Sequence, residues 1–141
     1  MKKNKISFLV PKCDTKASNN QIQKLKNIYG NFELNECDVI VALGGDGFML
    51  EALHTAKTFS KPVYGMNRGT IGFLMNKFSS QNLLERINKA EETIIHPLQM
   101  RAEKVDGSIE EALAINEVSL LRSGPQAAKL RISIDGKLRL D

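Results

Sequence analysis

Apolar and polar positions follow two rhythms along this chain, one in its first two thirds and another after it. Ile6-Ser7-Phe8-Leu9-Val10 is a short, nearly unbroken apolar run stopped by Pro11, the pattern of a fully buried strand. From Asn19 to Tyr29 the apolar residues Ile22, Leu25, Ile28 and Tyr29 recur at helical spacing, with Ser18 or Asn19 as N-cap and Gly30 as stop. Phe32-Glu33-Leu34 fits a short edge strand, and Asp38 to Leu43 reads as the second main strand. Helical spacing returns in Met49, Ala52, Leu53 and Ala56, predicting a helix from Phe48 to about Lys57. Lys61-Pro62 restarts the chain, Val63 to Asn67 reads as a third strand, and Gln81 to Ala90 as a helix capped by Ser79 or Ser80.

From about Leu98 the text alternates in strand fashion. Leu98 to Val105 ends in the hairpin signal Asp106-Gly107, and Ala112 to Leu121 reads as its partner. Lys129 to Ile134 reaches a second Asp-Gly turn at Asp135-Gly136, and Leu138 to Asp141 begins a return strand. Strands alternating with helices imply an α/β, doubly wound parallel-sheet domain over residues 1–95. The switch near His96-Pro97 implies the start of an antiparallel β-rich domain over 96–141. Three or four β elements do not close a sandwich or barrel, so this second unit reads as incomplete.

Composition adds exclusions rather than a function. The chain has 141 residues and a net charge of +4, with its cations scattered. Few aromatics are available to stack bases, so nucleic acid is not an expected partner. The run Ile6–Val10 is too short for a signal peptide, and no stretch approaches the ~20 apolar residues of a membrane span. Cys13 and Cys37 form no metal or disulfide framework and fit a reducing compartment. A soluble, cytoplasmic protein with no membrane partner is expected.

Three clusters carry candidate chemistry. The second strand runs directly into Gly44-Gly45-Asp46-Gly47 and then into a helix. A helix N-terminus beyond a strand's carboxyl end is where open α/β sheets bind anionic ligands, and glycines there let a ligand approach the backbone. Asp46 stands at that mouth as a group able to act chemically, or else simply as the N-cap. Asn67-Arg68-Gly69-Thr70-Ile71-Gly72-Phe73 is a second glycine-rich turn, with one cation, after the third strand. Asn116-Glu117 is a polar pair inside the apolar run Ala112–Leu121, either a ligand pair or an exposed edge position. There is no Walker A loop, no G-x-G-x-x-G fingerprint, no metal-ligand spacing and no Ser-His-Asp arrangement. His54 reads as a surface residue and His96 as a structural one.

Together these clusters resemble the NAD kinase family. Gly44-Gly45-Asp46-Gly47 matches its signature, Asn67-x-Gly69-x-x-Gly72-Phe73 its second glycine loop, and Asn116-Glu117 its Asn-Glu/Asp pair, in the same order and at similar intervals. Gly-Gly-Asp-Gly alone also occurs in diacylglycerol and sphingosine kinases and, in variant form, in phosphofructokinases. Those lipid kinases follow it directly with Thr and an Asn-Glu pair, whereas here Phe48 follows and the pair lies far downstream. NAD kinases too often carry Thr there, so Phe48 is a departure. The alternatives are a lipid or sugar kinase sharing the turn, and a non-catalytic nucleotide-binding fragment.

The resemblance implies transfer of the γ-phosphoryl group of ATP, with Mg²⁺, or of polyphosphate, to the 2′-hydroxyl of the adenosine ribose of NAD. It implies that Asp46 orients that hydroxyl and accepts its proton, while Gly45 and Gly47 let the backbone approach ribose and phosphate. Asn67 would join the binding set, Phe73 would pack on the nucleotide, and Asn116 would hold ribose and base. Glu117 would accept hydrogen bonds from NAD, and Arg68 and Lys129 would meet phosphates or line the cleft. No protein-held metal is implied, and a homo-oligomer, dimer or tetramer, is implied at full length. Family members continue well past the position of Asp141, into a Gly-Ser-Thr-Ala-Tyr-type stretch and the rest of a β-rich domain. The expectation is therefore the N-terminal portion of an NAD kinase.

Overall fold

Val39-Ile40-Val41-Ala42-Leu43 is buried on both faces, and the structure is built around it. A β-branched, uncharged run of this kind suits a central strand with helices above and below. The structure is a computed structural model that describes residues 2–12, 16–67, 69 and 73–141, with the backbone alone for 16–19. The described elements are β1 (Ile6–Leu9), α1 (Lys16–Tyr29), β2 (Val39–Gly44), α2 (Asp46–Phe59), β3 (Val63–Asn67), β4 (Asn76–Lys77) and α3 (Leu83–Lys89). The antiparallel strands β5 (Leu98–Glu103), β6 (Ile109–Ala114), β7 (Ile132–Ile134) and β8 (Lys137–Leu140) follow. The chain divides into two compact units, one ending at Ile95 and the other spanning His96–Asp141.

In the first unit β1-β2-β3-β4 form one parallel sheet in that order, with Ile6 opposite Val39 and Ile40 opposite Val63. Alternate residues feed opposite faces, as the two-residue period of a strand requires. Ile6, Phe8, Val39, Val41, Leu43, Tyr64 and Met66 pack with Ile22 and Leu25 of α1 and Leu83 and Ile87 of α3. On the other face Ile40 packs with Ala56, and Ala42 with Met49 and Ala52, all from α2. The helices therefore cover both faces, and the fold is α/β. Tyr29 ties the first face together: its hydroxyl donates to the Ser80 carbonyl (2.7 Å) and accepts the Leu83 N–H (3.1 Å).

Several boundaries differ from the sequence reading. α1 begins at Lys16, so Ser18 and Asn19 lie inside it rather than ahead of it. α2 begins at Asp46, two residues before Phe48, because helical hydrogen bonding reaches back to the Gly45 carbonyl. Phe32–Leu34 is not a strand. One backbone bond, from Phe32 N–H to the Ile6 carbonyl, lays it beside β1, and Glu33 then accepts two N–H groups in a turn. α3 is shorter than expected and starts after Asn82, which is left-handed (φ 51°) and makes no side-chain cap. Ser79 instead accepts the Gln81 N–H one turn earlier, so neither serine is the cap. β4 had no sequence signal, since two residues gain strand geometry only from pairing with Met66 and Asn67.

In the second unit β5 and β6 form one hairpin and β7 and β8 another. Both Asp-Gly turns form. Gly107 (φ 79°) closes a turn onto the Lys104 carbonyl, and Asp135 (φ 50°) with Gly136 (φ 73°) gives the two left-handed residues of a tight hairpin. β6 ends at Ala114, so the expected strand Ala112–Leu121 is replaced by an earlier one, Ile109–Ala114, in register with Leu98–Glu103. No helix of the described residues is long and apolar enough to cross a membrane.

Candidate functional site

The carboxyl ends of β2 and β3 lie side by side, with Gly44 opposite Asn67. This register brings the two glycine-rich segments of the first unit together. Asp46 is the first residue of α2 and Gly45 is its N-cap, with no side-chain capping bond. The Asp46 carboxylate reaches across to the other segment: Oδ2 accepts the Phe73 N–H at 2.8 Å and Oδ1 accepts the Leu74 N–H at 3.2 Å. Asp46 is thus not the N-cap, although its negative charge still sits favourably at the helix N-terminus. It is half-buried, and among the described residues each carboxylate oxygen accepts one hydrogen bond of the two its lone pairs allow.

The glycines divide by what surrounds them. A Cβ on Gly44 would lie 2.8 Å from both Cβ and Cδ1 of Phe48, so Gly44 makes room for that ring. Phe48 packs with the α2 face of the sheet. Among the described residues nothing stands where a Cβ on Gly45 or Gly47 would lie. Gly45 is extended (φ −107°), and neither it nor Gly47 has a positive φ. The turn from β2 into α2 is made without left-handed backbone at these glycines. What their lack of side chains provides is an uncovered approach to the backbone on either side of Asp46.

Asn67 folds its own turn, its Oδ1 accepting the Gly69 N–H at 2.8 Å. Arg68 lies outside the described residues, as do Thr70, Ile71 and Gly72 of the same motif. Phe73 has its peptide N–H held by Asp46 while its side chain is fully exposed (102%). Asn116 and Glu117 do not interrupt a strand. They follow β6, Asn116 in a bend and Glu117 just after it, and both are exposed, and Lys129 is exposed ahead of β7. His54 is exposed on α2, and His96 is exposed at the start of the second unit. Cys37 is buried, and desolvation pushes its thiol above its usual range, which makes it a packing residue rather than a nucleophile. Cys13 lies outside the described residues. The Asp46 bridge to residues 73 and 74 had no sequence signal, because nothing in either motif specifies which amides face a carboxylate 27 positions away.

Comparison with known proteins gives the family of the chain that carries this arrangement. The ATP-NAD kinase N-terminal domain family matches residues 3–95, which hold the whole parallel sheet and both glycine-rich segments. A protein named NAD kinase from Rhizobium meliloti (strain 1021) is 55% identical over 119 residues, 84% of this chain and 46% of the relative. One from Caulobacter vibrioides is 54% identical over 136 residues, covering 96% of this chain and 52% of the relative. Another, from Brucella suis biovar 1, is 50% identical over 140 residues, 99% of this chain and 54% of the relative. The chain spans about half the length of the curated relatives it matches. An α/β sheet whose two glycine-rich strand ends are joined through one carboxylate, matched over its length by these proteins, belongs to the NAD kinase family.

Proposed function

We propose that this chain carries the catalytic carboxylate of an enzyme that transfers the γ-phosphoryl group of ATP, or a phosphoryl group of polyphosphate, to the 2′-hydroxyl of the adenosine ribose of NAD, giving NADP. The observation that carries this reading is Asp46: an ionisable side chain at a helix N-terminus, flanked by two glycines that leave the backbone open. Phosphoryl transfer through a loose transition state asks mainly for positioning and neutralisation of charge, and an ordinary carboxylate suffices to orient the hydroxyl and take its proton. The unused lone pairs of Asp46 suit that task. The first amides of α2 suit the anionic phosphates.

Asn67 and Phe73 supply turn and ring beside Asp46, and Arg68 a cation in the same motif. Asn116 holds ribose and base, Glu117 accepts from NAD hydroxyl or amine groups, and Lys129 meets phosphate or lines the NAD cleft. Mg²⁺ arrives on the phosphates of ATP. Among the described residues no three His, Cys, Asp or Glu side chains gather, and a lone carboxylate fits an ion held chiefly by phosphate oxygens and water. The working assembly is a dimer or tetramer in the cytoplasm.

The test is Asp46→Asn in the intact protein, assayed with NAD and ATP·Mg²⁺ and, as controls, with diacylglycerol and fructose 6-phosphate. NAD binding should be largely kept and turnover reduced by at least a hundredfold; turnover within a few-fold of the parent removes Asp46 as the base. Preference for either control acceptor replaces the NAD reading with that of a lipid or sugar kinase. A second reading, binding without turnover by these 141 residues alone, is favoured by the absence of any buried side chain among the described residues of the second unit. Calorimetry with NAD on the chain alone checks it.

A further inference from the structure

Asp46 engages the chain before any substrate arrives, and what it engages is the backbone under an aromatic ring. Phe73 and Leu74 both give their N–H groups to its carboxylate. The same short segment is fixed from its other side. The Leu74 carbonyl and the Met75 thioether lie over Gly65 of β3, where a Cβ would meet both, and Met49 of α2 closes on the same spot. Asn76 then ties the segment to the sheet, its Nδ2 donating to the Gly65 carbonyl at 3.2 Å. Residues 73–76 are therefore held by α2 through a carboxylate and by β3 through close packing. The Phe73 ring is left entirely in solvent. A large apolar side chain on a backbone fixed this firmly has no packing role in the first unit.

We propose that Asp46 is a positioning residue for Phe73: its carboxylate mounts the 73–74 peptides so that the Phe73 ring stands ready to pack on a planar heterocycle bound beside the Gly45–Gly47 turn. One side chain then serves two ends, since the oxygens that face a substrate hydroxyl also set the place of the ring. Removing the carboxylate weakens ligand binding as well as chemistry. Replacing it by a carboxamide keeps one oxygen acceptor, and with it part of the mount. The nature of the heterocycle rests on the NAD kinase reading above; the mount itself does not.

Amide hydrogen exchange followed by NMR on the ligand-free protein tests the mount. Asp46→Ala should raise exchange at Phe73 and Leu74 at least tenfold, with Val41 in β2 and Ala56 in α2 unchanged, and Asp46→Asn should do so at one of the two amides. Parental protection at both amides in Asp46→Ala overturns the proposal. If Asp46→Ala does not fold, parental protection at both amides in Asp46→Asn overturns it equally. The ligand side is read with Phe73→Trp, which puts an indole at the ring position of a segment without tryptophan, as the fluorescence difference from the parent protein. In that background NAD titrated into the intact protein should bind at least fivefold more weakly with Asp46→Ala than with Asp46→Asn, and equal affinities overturn the link to the ring. Lost turnover with unchanged exchange leaves the base and removes the mount. Altered exchange with retained turnover keeps the mount and removes the base.

Discussion

The two units of this chain contain similar proportions of apolar residues and do very different things with them. Up to Ile95, Ile6, Leu25, Val39, Ile40, Val41, Leu43, Met66 and Leu83 have essentially no exposed surface. From His96 onward Leu98, Ile109, Leu113, Ile132, Ile134, Leu138 and Leu140 are each more than a third exposed. A parallel sheet covered on both faces by helices gives every strand residue a neighbour. A two-stranded hairpin gives a partner along one edge and none on either face, and is marginal alone. Hydrophobic content is thus a poor guide to stability until the elements that would cover it are counted. The hydrogen bonding differs in the same sense. In the first unit side chains join distant elements, as Asp46 joins α2 to Phe73 and Leu74. In the second, the ion pairs Arg101–Glu111, Lys104–Glu110 and Arg131–Asp141 are each exposed links within one hairpin, of the kind that adds little.

The largest expected effect tests this contrast directly. Leu25→Ala removes a fully buried side chain and should cost about 2–5 kcal/mol of unfolding free energy, whereas Leu138→Ala should stay within about 0.5 kcal/mol. Urea unfolding followed by far-UV circular dichroism gives both numbers, and a loss above 1 kcal/mol for Leu138→Ala, on the order of a packed site, would mean that the β7–β8 hairpin is covered in solution. Next comes a contrast within the first unit. Gly44→Ala drives a methyl into Phe48 and should cost about 1–3 kcal/mol, since Phe48 Cβ is fixed by the helix backbone. Gly47→Ala, in a helix with open space, should be neutral or stabilise by up to about 1 kcal/mol while weakening nucleotide binding. Equal destabilisation by the two would show that Gly47 serves the fold rather than a ligand.

The smallest effect is one of pH. The Asp38 carboxylate accepts the N–H groups of Lys5 and Asn4, which pull its pKa below the usual range and pin the N-terminal segment beside β2. A carboxyl group depressed in the folded state stabilises fully above its unfolded pKa of about 4, and that contribution fades as pH falls through the lower folded value. The urea midpoint of Asp38→Asn should therefore lie below that of the parent at pH 6–7 and converge with it in acid. A gap that persists at pH 2 would assign the loss to packing instead.

Much of the first unit could be read in advance. Short unbroken apolar runs and the 3.6-residue spacing located three strands and three helices, and three glycine- or asparagine-bearing motifs in order identified the family. What escaped were features made by distant neighbours. The two-residue β4 exists only because β3 offers it an edge. The helix start at Asp46 depends on the carbonyl of Gly45, and the end of β6 at Ala114 on register with Leu98. Phe32–Leu34 has strand-like composition but finds one backbone bond to β1 rather than a ladder.

The sequence by itself determined the strand–turn–helix around Asp46, the two Asp-Gly hairpin turns and the kinship, because those follow from local spacing and from residues whose backbone preferences are intrinsic. Only the tertiary structure decided what Asp46 touches, that Gly45 and Gly47 stand in open space while Gly44 is filled by Phe48, and that Phe73 is mounted yet bare. Those facts depend on which strand ends lie side by side, and pairing between residues far apart in sequence is set by how the whole sheet buries its faces.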